Sequence, residues 1–149
     1  MEHTPLVDLP WSDAWLVGHS TLDLEHRELV AAIERVLRAS DAAQGLCAVS
    51  AFIDHAQSHF AAEEQLMVTH QFPAAGCHAD EHAKVLESAK DVESMLRNGD
   101  DGMLSDFADA LAAWFPAHAE QMDSAIASWI SKKKGHGAPV VLRRLIFDR

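Results

Sequence analysis

The sequence contains no tyrosine, and glycine, proline and cysteine are all scarce, with seven, five and two in 149 residues. Few glycines and prolines argue against a chain rich in turns and favour long helices. The two cysteines, Cys47 and Cys77, form no CxxC pair. This excludes a disulfide framework, so we expect free thiols in a reducing compartment.

Basic residues are also few, with 12 Lys and Arg against 23 Asp and Glu and a net charge of −11. We therefore expect no nucleic acid as a partner, because phosphate recognition needs a basic surface. No run approaches the roughly 20 apolar residues of a membrane span, so we expect no integral membrane segment. The N-terminal MEHTPLVDLPW lacks the basic and apolar regions of a signal peptide, which predicts a cytoplasmic protein.

Apolar residues recur at helical spacing in four segments, which predict helices over about 20–40, 41–70, 75–97 and 103–132. Ser20 or Thr21 is the expected N-cap of the first helix. Long helices with short connections favour antiparallel neighbours. We therefore predict an all-α, up-down-up-down four-helix bundle with an irregular N-terminal arm over residues 1–134.

Residues 135–149 are expected to form a separate C-terminal tail that combines apolar and basic residues. Docking of this tail on its own bundle is the default expectation. A contact with a protein partner, a membrane surface or a second copy of the chain in a dimer stays open.

Histidine is the residue in excess, with ten in the chain. Each predicted helix interrupts its apolar stripe with polar residues, and pairs spaced by four residues share one face. These residues are His26, His59, Glu63, His78, His82, His118 and Asp123. One histidine in an apolar stripe is more often a core residue than a ligand. Four helices that all place polar groups in the core favour a metal site, because unpaired burial is costly.

Asp123 is the one member that a regular helix does not bring to the others. Five residues of an ideal helix turn through about 500°, which leaves Asp123 about 140° away from His118. Either the helix is locally distorted, for which Pro116 offers a cause, or Asp123 reaches in from the side.

Five motifs follow one another along the chain, each on its expected helix or on the approach to it. They are W-x3-W-x2-G (Trp11 to Gly18), D-x2-H (Asp23 to His26), HFAAEE with LM (His59 to Met67), FP-x4-H-x3-H (Phe72 to His82) and W-x3-H-x4-D (Trp114 to Asp123). With these motifs the chain resembles the hemerythrins, and among them the bacterial hemerythrin-like domains, from Trp11 to about Ile130. The resemblance keeps Asp123 as a ligand, because the spacing of five is the family's own.

The resemblance implies two iron ions joined by an oxo or hydroxo bridge. One iron is then held by His78, His82 and His118 and the other by His26 and His59, while Glu63 and Asp123 bridge the two. The second iron is one ligand short, and dioxygen is expected to bind there and leave unchanged. The expected function is reversible dioxygen binding for storage, delivery or sensing, and not catalysis.

Trp114 and Phe115 are the expected lining of the oxygen pocket. Phe115 stands where the family usually has leucine, and either shields bound oxygen or is a plain packing change. Glu25 stands where glutamine is usual, and we expect it to be a solvated surface residue. His55 and His70 lie within about two turns of candidate ligands and could either support those ligands from outside or lie at the surface, and we expect the surface role for both.

Three other functions stay open: a di-iron enzyme acting on oxygen, peroxide or nitric oxide, a sensory module that signals to a partner, and a zinc or manganese bundle. The candidate site has no ExxH motif of the ferritin-like di-iron proteins, which favours binding over oxygen activation.

Overall fold

The computed structural model describes residues 8–134, and the expected tail over 135–149 lies outside them. A short 3-10 turn (Asp13–Trp15) precedes helices α1 (Ser20–Arg38), α2 (Ala42–Thr69) and α3 (Ala75–Arg97). The fourth rod consists of α4 (Leu104–His118), a π-helical turn (Ala119–Asp123) and α5 (Ser124–Lys134). Between residues 8 and 134 there is no strand, which confirms the predicted all-α class.

The four rods run alternately up and down. At one end of the bundle, His26 near the start of α1 meets Asp123 of the fourth rod. At the other end, Gly45 near the start of α2 packs against Leu96 near the end of α3 and Leu104 at the start of α4. A Cβ atom on Gly45 would lie 2.8 Å from Leu104 Cδ2, so glycine permits this close approach. The predicted up-down-up-down bundle is confirmed.

Side chains cap the first two helices. His19 Nδ1 accepts a hydrogen bond from the Leu22 amide at 3.3 Å, and Asp41 Oδ1 accepts one from the Gln44 amide at 2.8 Å. The prediction of Ser20 or Thr21 as the first cap is wrong, because α1 already begins at Ser20. The residue before it supplies the acceptor for the free amide of the first turn.

A polar layer separates two apolar clusters inside the bundle. The larger cluster includes Phe52 and Phe60 of α2, and the smaller one joins Met67 to Ile126 and Ile130. Glu63 therefore lies between the two clusters along α2. No helix in the described part of the chain is long and apolar enough to cross a membrane. The cytoplasmic location stays a prediction, while Cys47 and Cys77 are free thiols, as predicted.

Candidate metal centre

The structure gathers all seven candidate ligands of the sequence analysis in this polar layer. None of them is more than 3% exposed: His26, His59, Glu63, His78, His82, His118 and Asp123. Each of the four rods, namely α1, α2, α3 and the fourth rod, contributes at least one of these side chains. The layer is thus a meeting point of all four rods.

The seven side chains form two overlapping groups. The three-histidine group contains His78, His82, His118, Glu63 and Asp123, and the two-histidine group contains His26, His59, Glu63 and Asp123. Within each group, one potential ligand atom per residue lies within 4.8 Å of all the others. Glu63 and Asp123 belong to both groups.

Each shared carboxylate directs one oxygen to each group. Glu63 Oε1 lies 3.2 Å from Nε2 of both His78 and His82, while Oε2 lies 2.6 Å from His59 Nε2. Asp123 Oδ1 lies 3.0 Å from His78 Nε2, and its Oδ2 lies 2.8 Å from His26 Nε2. Both carboxylates therefore have the arrangement that bridging ligands of two metals need.

A π-helical turn brings Asp123 to this position. The Ser124 amide donates to the Ala119 carbonyl, five residues back, so this turn holds one more residue than an α-helical turn. As a result, His118 Nε2 lies 3.0 Å from Asp123 Oδ1. Of the two explanations for the i+5 spacing, local distortion is correct. Pro116 lies three residues before the turn and has no amide to donate to the helix.

Several of the atoms that face each other in the layer do not satisfy one another. His118 Nε2 lies 3.2 Å from His78 Nε2 and 3.4 Å from His82 Nε2, so the Nε2 atoms of three imidazoles converge on one point. His59 Nε2 and both Glu63 oxygens are buried without a hydrogen-bond partner. Buried polar atoms are nearly always paired. Converging imidazole and carboxylate donors fit a first-row metal ion, which would satisfy these atoms.

The pKa shifts describe a layer that attracts positive charge. Burial raises the pKa of Glu63, but the imidazoles of His26, His59 and the other nearby histidines outweigh it and hold the pKa well below its usual range. Burial lowers the pKa of His26, but Asp123 and Glu63 raise it to about 10. The same balance raises the pKa of His78 to about 9. The carboxylates are therefore charged, and protons or metal ions compete for the histidines facing them.

Four of the five histidines have a partner at the nitrogen that points away from the layer. The Nδ1 partners are the Trp15 carbonyl for His26, Glu25 for His59, Glu64 for His82 and Glu81 for His118. A partner at Nδ1 fixes the ring and leaves the Nε2 lone pair directed into the layer. Outer hydrogen bonds of this kind are typical of histidines that bind metals.

The expectation that Glu25 is a solvated surface residue is wrong, because its carboxylate accepts the Nδ1–H of His59 and its side chain is only 24% exposed. Glu64 and Glu81 were not predicted as part of the site. Each adjoins a candidate ligand in the sequence, Glu63 and His82 respectively. The histidine that each of them contacts lies on a different helix, however, so spacing along one helix does not reveal the pair. His55 stands outside the two groups and donates to the Glu25 carbonyl.

Trp114 and Phe115 contact different histidines of the layer. The Phe115 ring is fully buried, with its centroid 5.4 Å from that of His26 and 5.3 Å from that of Trp15. The Trp114 ring stacks on His118 at 4.6 Å. Phe115 therefore lies beside the two-histidine group, and Trp114 lies beside the three-histidine group.

A buried metal-binding cluster of histidines and carboxylates inside an antiparallel four-helix bundle defines the class of this protein. The family model of the Hemerythrin HHE cation binding domain matches residues 17–130. The chain is 30% identical over 125 residues to the Bacteriohemerythrin of Ralstonia nicotianae, which covers 84% of this chain and 90% of that protein. It is 23% identical over 125 residues to the Bacteriohemerythrin of Stenotrophomonas maltophilia, covering 82% of this chain and 81% of that protein. The chain belongs to the hemerythrin family, as its motifs predicted.

Proposed function

We propose that the polar layer holds two iron ions and that the chain binds dioxygen reversibly. The observation that carries this proposal is the sharing of Glu63 and Asp123 between a three-histidine and a two-histidine group. The layer contains five imidazoles, and each of its two carboxylates faces both groups. Together these side chains offer more donor atoms than the six coordination positions of one octahedral ion. Two neighbouring metals use all of them.

In this proposal His78, His82 and His118 hold one iron and His26 and His59 hold the other, with Glu63 and Asp123 as bridges beside an oxo or hydroxo group. Imidazole and carboxylate donors suit iron. The iron pair supplies the electrons that reversible dioxygen binding takes up and returns. Because the two-histidine group has one imidazole fewer, its iron would have a free coordination position at which an exogenous ligand could bind.

The surroundings of that side favour a small ligand. Phe115 and Trp15 pack in edge contact beside His26, and neither ring is more than 6% exposed. His26 and His59 are themselves at most 1% exposed. These side chains keep bulk water away from the layer, which limits side reactions of a reactive centre. A centre enclosed in this way favours a diatomic ligand over a bulky substrate.

Metal counting and an absorption cycle test the proposal. The purified protein is analysed for iron, zinc and manganese, and the reduced protein is then recorded under nitrogen, in air and again under nitrogen. We expect about two irons per chain and a charge-transfer band that appears in air and disappears under nitrogen. One metal per chain, or a band that never reverses, contradicts the proposal. Steady consumption of an added reductant with release of peroxide indicates an oxidase instead.

A further inference from the structure

The His59 ring is held between two carboxylates from different helices. Its Nε2 lies 2.6 Å from Glu63 Oε2 within the layer, and its Nδ1–H donates to Glu25 Oε2 outside the layer. Glu25 lies in α1 and His59 in α2. The orientation of this imidazole is therefore fixed by a contact between two helices.

Glu25 is itself fixed against α2 at two points. Its carboxylate binds His59, and its backbone carbonyl accepts a hydrogen bond from His55 Nε2 at 3.2 Å. His55 in turn places its Nδ1 3.6 Å from Glu28 Oε2. The backbone of Glu25 is thus anchored to α2 beside the contact between its carboxylate and His59.

The two-histidine group has one outer carboxylate on its histidines, whereas the three-histidine group has two. His26, the second histidine of the group, has the neutral Trp15 carbonyl as its Nδ1 partner. Among the described residues, Glu25 is the one carboxylate outside the layer that hydrogen-bonds a histidine of this group. A carboxylate on Nδ1–H orients the ring and makes Nε2 a stronger donor.

We propose that Glu25 is a positioning residue for the two-histidine group and sets the affinity of that group for its metal through His59. The inference rests on the proposed function, because this group is the side assigned to dioxygen. The three-histidine group has Glu81 on His118 and Glu64 near His82, so it is independent of Glu25. Removal of the Glu25 carboxylate therefore affects one of two metals and spares the other.

Cobalt binding by the metal-free protein tests this inference without any oxygen chemistry. The wild-type chain and three variants, Glu25→Ala, Glu25→Gln and Glu34→Ala, are titrated with Co2+ against a competing chelator. The visible absorption of the bound ion is recorded at each step. Glu34 is a matched control, because it also lies on α1, its side chain is 24% exposed like that of Glu25, and its carboxylate pairs with Arg38.

We expect two Co2+ per wild-type chain. Glu25→Ala should keep one ion at wild-type affinity and bind the second about 10- to 100-fold more weakly, with a changed spectrum for that ion. Glu25→Gln should restore much of the affinity, because its amide oxygen accepts the same hydrogen bond. Glu34→Ala should behave as wild type. If Glu25→Ala does not fold, Glu25→Asp, which withdraws the carboxylate by one methylene, should give the same selective loss.

Two tight ions with a wild-type spectrum in Glu25→Ala would overturn the inference. Equal weakening of both ions, with a lower melting temperature of the metal-free variant, would also overturn it, because Glu25 would then act only through packing. A wild-type chain that binds a single Co2+ overturns this inference and the two-metal site together. A wild-type chain that binds two Co2+ but never oxygenates with iron contradicts the proposed function and leaves the Glu25 result intact.

Discussion

His118 Nε2 lies 3.0 Å from Asp123 Oδ1, although the two residues are five positions apart on one rod. The π-helical turn from Ala119 to Asp123 makes this contact, since it adds one residue to the turn between them. A regular α-helix would carry Asp123 to another face of the rod. One of the two carboxylates that both groups share therefore depends on a local distortion of the helix.

Exchanging the residues at 122 and 123 tests this distortion. On a regular helix, position 122 shares the face of His118, whereas in the structure Met122 is only half-buried and Asp123 is fully buried. We expect the double variant Met122→Asp/Asp123→Met to lose at least one of the two proposed metals per chain, measured by elemental analysis. Met122→Ala, which keeps Asp123, should retain both. Full metal content in the exchanged variant would mean that the rod is a regular α-helix.

The stability of the protein stripped of metal should depend on pH in a defined direction. Asp123 and Glu63 raise the pKa of His26 from 6.5 to about 10 and that of His78 to about 9, against the opposing effect of burial. Because these pKa values are raised in the folded state, the two histidines stabilise the fold fully below about pH 6.5. This stabilisation is lost as the pH rises through 9 and 10. Glu63 has a pKa below its ordinary 4.5, so its contribution is present above that pH and disappears in acid.

Urea unfolding of the stripped protein between pH 4 and 10 measures this dependence. We expect the free energy of unfolding to be highest between about 4.5 and 6.5 and to fall toward pH 10. The metal-loaded protein should lose less unfolding free energy above pH 6.5, because the metal binds the histidine nitrogens once they have lost their protons. A rise in the stability of the stripped protein between pH 6.5 and 9.5 would contradict the charge arrangement of the layer.

Glu63→Gln should weaken both metals at once. The glutamine amide replaces one of the two oxygens that face His59 on one side and His78 and His82 on the other, and it removes the shared negative charge. We expect the variant to bind fewer than one metal per chain under conditions in which the wild type binds two. Glu87→Gln, an exposed residue of α3, is the matched control and should bind two. Selective loss of a single metal would show that Glu63 serves only one group.

Phe115→Leu tests the shielding of the two-histidine side. The ring is fully buried against His26, so its loss leaves space beside the proposed dioxygen position. We expect the oxygenated absorption to decay several times faster because water enters that space. Phe107→Leu is the control, because Phe107 lies on the same helix and its ring contacts Phe52 away from the layer. Both variants should lose less than about 3 kcal/mol of unfolding free energy, which is the lower end of the loss caused by a Phe→Ala substitution in a core. Equal decay rates in the two variants would argue against shielding by Phe115.

Helix periodicity and the spacing of polar residues were sufficient to predict the four rods and six of the seven residues that meet in the layer. Both signals are local, because residues such as His78 and His82 share a face whatever the rest of the fold does. The same signals failed at Asp123, since the ideal-helix rule does not anticipate an inserted residue. Only the family resemblance retained it before the π-helical turn was seen.

The outer partners of the histidines were not predictable in this way. Glu25 adjoins His26 in the sequence but binds His59, which lies on the next helix. Such a pair depends on the relative rotation of two packed helices, and no pattern within one helix encodes that rotation. The N-cap at His19 was missed for a simpler reason: serine and threonine are the more common caps, and imidazole is a rare acceptor in that role.

A crystal structure of the iron-loaded protein with anomalous scattering at the iron edge tests the central claim most directly. We predict two anomalous peaks about 3.5–4 Å apart, as in other two-metal sites. One peak should be surrounded by His78, His82 and His118, the other by His26 and His59, with Glu63 and Asp123 between them. A single peak, or two peaks that do not share both carboxylates, would contradict the account.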